Sequence, residues 1–351
     1  MSEFTDAAAR VQPVDAVARD SALRRHDRLL KPRGALGRLE TLGVQLAGIT
    51  GRCPPPVPAR PAVAVFAADH GVVASGVTPW PQEITSQMVA TFATGRAAIN
   101  VLARQVGATV HVVDVGVASD VGHLHGVRVH KVRPGTADLT HGPAMTTTEA
   151  SLALDVGVEI ARVLVAAGHD LLVTGDMGIG NTTPSAALIA AFTRTDAAAV
   201  TGRGTGIDDD MLATKTRVVE RAVARARATR GDPISVLAEV GGLEIAALAG
   251  FCTAGAAAGV PVIVDGVIAC AALLVAEALA PGVAARCVAG HRPVEPGGRV
   301  ALAYLGMVPV LDLDLRLGEG TGACLAVPIV RAAAAVLAEM ATFDEAATDP
   351  A

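Results

Sequence analysis

Short runs rich in Val, Ile and Ala recur along the chain, each bounded by Gly or Asp, at 62–67, 109–115, 127–132, 170–174, 261–264 and 286–289. Their length and β-branched content predict strands. Between most of them lie longer segments whose Ala, Leu and Val positions repeat with helical spacing, at 83–105, 147–167, 208–230, 243–259 and 267–280. The segment after residue 14, including 36–46 with charges between its leucines, also reads as helical. Strands alternating with helices predict an α/β fold with a mainly parallel sheet covered on both faces. Cys53-Pro-Pro-Pro-Val-Pro stops any helix and stiffens a connection, and residues 1–14 read as a loose tail. The uncharged stretch 245–264 is long enough to raise a membrane question, but its Ala, Gly and Pro261 predict a buried helix, a turn and a core strand.

Ligands of such sheets gather where strands end and loops diverge. Four predicted strands run into Asp69-His70-Gly71, Asp114-Val115-Gly116, Gly175-Asp176-Met177-Gly178 and Asp265-Gly266. The third continues as Gly178-Ile-Gly-Asn-Thr-Thr into an Ala-rich helix, where free backbone amides accept an anion and Asn181, Thr182 and Thr183 add donors or cap the helix. A second glycine cluster, Gly202-Arg-Gly-Thr-Gly-Ile-Asp-Asp, precedes the helix bearing Lys215, a candidate charge partner for phosphate. Neither cluster has P-loop or dinucleotide spacing, and such a cluster taken alone is more often a tight turn than a binding loop.

Leu311, Leu313, Leu315 and Leu317 alternate with Asp312, Asp314 and Arg316, which predicts an extended, half-buried segment; Glu319 follows between two glycines, ahead of a helix over 323–340. A carboxylate set among apolar residues has a raised pKa suited to a base, whereas a carboxylate before a helix equally serves as a cap; spacing leaves both open. Adjacent Asp69 and His70 point apart in an extended segment, so a structural turn is expected there. His123 and His125 lack a grouped third ligand, and Asp208, Asp209 and Asp210 suit a helix start, so no metal is expected.

Composition narrows the function. Hydrophobic residues reach 51% but aromatics only 2%, so small side chains must pack where elements meet. The net charge of -5 and a pI near 6.0 offer no basic stripe for nucleic acid. Five scattered cysteines without a C-x-x-C pair read as reduced thiols, and the start shows no apolar signal region, so the cytoplasm is the expected compartment.

The motifs in order resemble the nicotinate-nucleotide:dimethylbenzimidazole phosphoribosyltransferase family. They are Lys31-Pro-Arg-Gly-Ala-Leu-Gly-Arg-Leu-Glu, Phe66-Ala-Ala-Asp-His-Gly-Val, Pro81-Gln-Glu-Ile-Thr-Ser-Gln-Met-Val, the clusters at 175–183 and 202–209, Gly241-Gly-Leu-Glu-Ile-Ala-Ala and Leu315-Arg-Leu-Gly-Glu-Gly-Thr-Gly-Ala. The resemblance implies a Rossmann-like parallel-sheet domain over 56–305, a smaller helical domain built from 15–55 and 306–351, and a homodimer. It also implies transfer of a ribose phosphate from nicotinate mononucleotide to a benzimidazole, with Glu319 as general base and no cofactor. Substrate contacts then fall on Asp176, Met177, Gly178, Gly202, Gly204, Lys215 and Leu317, with Gln87 and Trp80 beside the acceptor. Asp176 stands where the family pattern commonly has Glu, and Pro293 and Gly298 where it has Ser and His. The rival expectations are another azole, purine or phenolic acceptor, and a non-catalytic nucleotide sensor. A nicotinamide dehydrogenase is a poorer fit, because the first strand ends in Asp-His-Gly rather than a glycine fingerprint.

Overall fold

The computed structural model describes residues 2–229 and 232–348. Six strands, β1 (Pro61–Ala68), β2 (Thr109–Gly116), β3 (Val127–Val129), β4 (Leu171–Met177), β5 (Val262–Val264) and β6 (Cys287–Ala289), form one sheet. Their order is β3-β2-β1-β4-β5-β6, and every neighbouring pair is parallel. Connections run one way from β1 to β3 and the other way from β4 to β6, so a crevice opens at the carboxyl ends of β1 and β4.

The helices are α1 (Glu3–Ala9), α2 (Ala16–Arg28), α3 (Arg38–Thr50), α4 (Ile84–Ala93), α5 (Ala98–Val106), α6 (Thr147–Ala166), α7 (Thr182–Thr193) and α8 (Ala197–Val200). They continue as α9 (Asp209–Ala228), α10 (Pro233–Val240), α11 (Leu243–Ala258), α12 (Val267–Leu279), α13 (Pro296–Tyr304), α14 (Thr321–Glu339) and α15 (Phe343–Thr348). All eight residues of β1 are buried. Ala62, Ala64, Phe66 and Ala68 enter the core shared with α6, α7, α11 and α12, while Val63, Val65 and Ala67 enter the one shared with α5 and α14. That alternation is the period-2 pleat of a strand covered on both faces.

The scarcity of aromatics has its counterpart in close helix contact. A Cβ added at Gly157 of α6 would lie 1.8 Å from the Ala247 carbonyl of α11, and one at Gly250 would lie 2.0 Å from the Leu154 carbonyl. Backbones this near exclude any side chain at those two positions.

Several expectations change. The segment 83–105 is two helices, because the chain turns at Gly95, where φ is +73°, and α5 restarts at Ala98. Within the expected tail 1–14, the described residues 2–14 are not loose: Ser2 caps α1, Phe4 and Ala7 are buried, and the Phe4 N–H donates to Asp155 at 2.7 Å. β3 ends at Val129, short of the expected 132, and the expected last helical residue Arg230 lies outside the described residues. Segment 311–317 is only in part the expected extended, half-buried segment: Leu311 bridges to His291, whereas Leu313 and Leu317 are exposed and Asp314 takes a positive φ of +52°. The alternation there reflects a segment crossing the surface, with Leu311 and Leu315 half-buried and their neighbours facing solvent. The stretch 245–264 is, as expected, buried helix, turn and core strand.

Helix α14 joins two packing units. Its early residues Ala323, Ala326, Val327 and Val330 share a core with Val63, Val65 and Ile263 of the sheet, while Leu337 near its end packs with Ala18, Ala22, Val44 and Ala47 of α2 and α3. Among the described helices it alone is long and apolar enough to cross a membrane, and its buried face is what explains that composition. The five cysteines are free, four of them buried.

Candidate active site

The carboxyl ends of β1, β4 and β5 deliver acids into one place. At the end of β1, Asp69 turns one way and accepts the Ala118 N–H at 2.7 Å, and His70 turns the other and meets Glu244 at 2.8 Å. These neighbours diverge as their backbone dictates, and both are buried. Burial acts to lower the His70 pKa, and the Glu244 carboxylate outweighs it, so the imidazole titrates above its ordinary value. Above this pair runs Gly178, where a Cβ would lie 2.3 Å from the Ala68 carbonyl and 3.1 Å from His70 Nε2. Glycine is therefore required for the loop after β4 to lie this low.

Asp176, at the end of β4, accepts the Asn181 side-chain amide at 3.0 Å through one oxygen, and its other oxygen is buried without a hydrogen bond. Burial first, then the charges of Asp265, Glu244 and Glu319, push its pKa well above the usual carboxylate range. Asn181 is thus spent on Asp176 rather than on capping α7, and Thr182 accepts a hydrogen bond from Lys215 instead.

Lys215 is buried on α9, its ammonium donating to Thr182 Oγ1 at 2.8 Å and to the Gly202 carbonyl at 3.0 Å. No carboxylate pairs with it among the described residues, and burial pulls its pKa down from 10.5 to about 8. Its hydrogen-bond partners are neutral and the nearby Glu295 charge offsets only part of the effect of burial, so the ammonium is a receptive point for an anion. The adjacent glycine loop is partly engaged already: the Gly204 N–H donates to Glu295 at 2.6 Å, and a Cβ at Gly202 would lie 2.2 Å from the same carboxylate.

Glu319 is 5% exposed and holds φ at +63°, between Gly318 at +83° and Gly320 at +92°. Its backbone rests on β4: a Cβ at Gly175 would lie 2.6 Å from the Glu319 carbonyl, and one at Gly320 would lie 2.8 Å from the Thr174 carbonyl. Its carboxylate does not cap α14, whose N-cap is Gly320; it accepts the Ile99 N–H of α5 at 3.2 Å. Burial raises its pKa, with the Asp265 charge acting in the same direction.

A pocket of about 110 Å³ lies over these strand ends, lined by Asp176, Met177, Gly178, Gly204 and Leu317 together with His291 and Arg316. Lys215 stands just behind it, through Thr182 and the Gly202–Gly204 loop. Trp80 joins from its rim, donating its indole N–H to Thr205 at 2.8 Å, whereas Gln87 sits exposed on α4 and does not line the pocket. Pro293 lines it too, and a Cβ at Gly298 would lie 2.7 Å from the Pro293 ring, so these two positions are sterically coupled. A larger groove of about 1220 Å³, lined by His26, Glu40, Glu277 and Tyr304 among others, contains none of the acids at the ends of β1, β4 and β5. We place the site in the smaller pocket, because the titratable groups converge there.

His291, Glu295 and Glu244 are site components that the sequence did not single out. A hint lay in the clustering of His291 and Glu295 in one glycine-bounded loop. His123 and His125 are exposed, Asp208 caps α9 through the Met211 N–H, and no metal-binding group of three or more His, Cys, Asp or Glu occurs among the described residues.

A phosphoribosyltransferase family model matches residues 11–348. Nicotinate-nucleotide:dimethylbenzimidazole phosphoribosyltransferase of Salinispora tropica is 53% identical over 360 residues, covering 99% of this chain and 98% of that protein. The enzyme of the same name from Chloroflexus aurantiacus is 52% identical over 337 residues, covering 96% of each. The crystal structure of CobT from Thermus thermophilus superposes with a TM-score of 0.92 at 49% identity, covering 95% of this chain and 100% of that one. With motifs, sheet order and near-complete coverage in agreement, the chain belongs to the nicotinate-nucleotide:dimethylbenzimidazole phosphoribosyltransferase family.

Proposed function

We propose that this protein transfers the phosphoribosyl group of nicotinate mononucleotide to 5,6-dimethylbenzimidazole, giving α-ribazole 5′-phosphate and nicotinate, with Glu319 as general base. The observation that carries this reading is the buried Glu319 carboxyl, held between two glycines at the strand ends beside the pocket.

In the donor the pyridine nitrogen is cationic, so the ring departs neutral and needs no acid. One carboxylate then suffices, unlike the pair used on glycosides. The unprotonated nitrogen of the base attacks C1′ while its other nitrogen gives up a proton to Glu319. Attack opposite the leaving group inverts β to α. Lys215 and the Gly202–Gly204 loop anchor the phosphate, Asp176, Met177 and Gly178 border the ribose and nicotinate, and Leu317 and Trp80 flank the acceptor. Holding both rings in line is worth roughly 7–11 kcal/mol in favourable cases.

In this reading the enzyme acts as a cytoplasmic homodimer on small molecules, without membrane or nucleic acid, and its net charge of -5 supports the last point. The packing of α2 and α3 on the end of α14 supports a small helical unit made from both chain termini. The deciding experiment incubates the protein with nicotinate mononucleotide and competing bases, then identifies the ribotide and its anomeric configuration by mass spectrometry and NMR. An α-ribotide of dimethylbenzimidazole is expected. Nicotinate release without any ribotide, or no release at all, would overturn the reading.

A further inference from the structure

We infer that Asp265 is the positioning residue for Glu319: it clamps the turn on which the base stands and places a buried carboxylate next to that turn. The inference rests on Glu319 being the base. Asp265 ends β5 and is wholly buried, and its two oxygens divide between two amides of one turn, Oδ2 accepting the Gly320 N–H at 3.1 Å and Oδ1 the Ala323 N–H at 2.8 Å. Its own N–H donates to Thr174 Oγ1 at 3.0 Å, which ties the clamp to β4, where Glu319 rests. Glu319 lies immediately before the first gripped amide, in the left-handed region, a conformation that costs a non-glycine residue energy and persists only where surroundings impose it.

The groups converging on the two acids are Asp176 from β4, Glu244 from α11 in its pair with His70, His291 after β6, and the thiols Cys270 of α12 and Cys324 of α14. His291 Nε2 stands 3.5 Å from Asp265 Oδ1. No Lys or Arg pairs with Asp176, Asp265 or Glu319 among the described residues, so the charge of Asp265 is balanced mainly by the amino end of α14 and acts on Glu319 with little screening. It raises the Glu319 pKa alongside burial. Removing that charge lowers it.

The test is the pH dependence of kcat in Asp265→Asn and Asp265→Ser, with folding checked by circular dichroism. The acidic limb is expected to move down by about half a pH unit or more, and kcat on the plateau to fall about tenfold, with the donor KM changed less than about threefold. A purely structural role lowers activity without moving the limb, and an unmoved limb in a folded variant overturns the inference. So does failure of both variants to fold, which would make Asp265 a requirement of the fold rather than a setting of the base. Glu319→Gln separates the levels: if that variant keeps turnover, the base assignment itself fails; if it loses turnover while the Asp265 variants keep the wild-type limb, only the present inference fails.

Discussion

The Glu319 carboxylate accepts the backbone N–H of Ile99 at 3.2 Å, across 220 positions of chain. Ile99 lies in the first turn of α5, so the acid faces the positive end of a helix that is not its own. That contact orients the carboxylate and offsets part of the burial that raises its pKa. Gln can still accept from Ile99 but cannot take a proton. Glu319→Gln is therefore expected to hold the donor within about threefold of wild type in calorimetry while turnover falls at least about a hundredfold. Near-normal turnover would remove Glu319 from the base role.

The same residue should trade stability for reactivity. Burial raises its folded pKa above the ordinary 4.5, so the folded chain holds that proton more tightly than the unfolded chain does. Its contribution is full below 4.5 and is lost as pH rises through the folded value. Glu319→Gln should thus melt about 1–3 °C higher than wild type at pH 7, an advantage that shrinks as the pH approaches 4.5. Both proteins keep the positive φ, so the difference reads charge alone. Equal melting temperatures across this range would contradict it.

Lys215 should impose the opposite limit on binding. Its pKa of about 8 leaves the ammonium charged below that pH and neutral above it. The KM for nicotinate mononucleotide is expected to climb as pH passes 8, whereas Lys215→Met should show a KM raised about tenfold or more and flat from pH 7 to 9. In the unliganded fold the depressed pKa stabilises fully above 10.5, and this gain is lost as pH falls through about 8. Saturating donor should therefore protect wild type against heat more at pH 7 than at pH 9. A Lys215→Met variant with the wild-type KM at pH 7 would exclude Lys215 from phosphate binding.

Pro293 and Gly298 should behave as a pair. A side chain at 298 would meet the Pro293 ring at 2.7 Å, so what one position carries limits the other. Gly298→His alone is expected to destabilise the protein, and Pro293→Ser added to it should recover part of the loss, with a coupling on the order of 1 kcal/mol. Urea melts of wild type, both single variants and the double variant measure it. Strictly additive losses would show that the two positions are independent.

The sequence by itself determined the strands, most of the helices, the parallel sheet and the placement of polar motifs at strand ends. These follow from local periodicity and from the chemistry of Gly and Asp, which act over a few residues. It also carried the family motifs and, with them, Glu319, Asp176 and Lys215. The tertiary structure decided what those residues touch. Apolar periodicity runs on from 83 to 105, and only Gly95 hinted at the turn that frees the end of α5 for Glu319. The alternation at 311–317 implied a half-buried segment, yet which of its leucines is covered depends on what packs beside it, and only Leu311 and Leu315 are half-buried. Asp265 and His291 lie on different strand ends and meet only when β5 and β6 pair. Hydrophobic spacing selects elements, whereas the meeting of groups hundreds of positions apart depends on how the packed sheet brings their ends together.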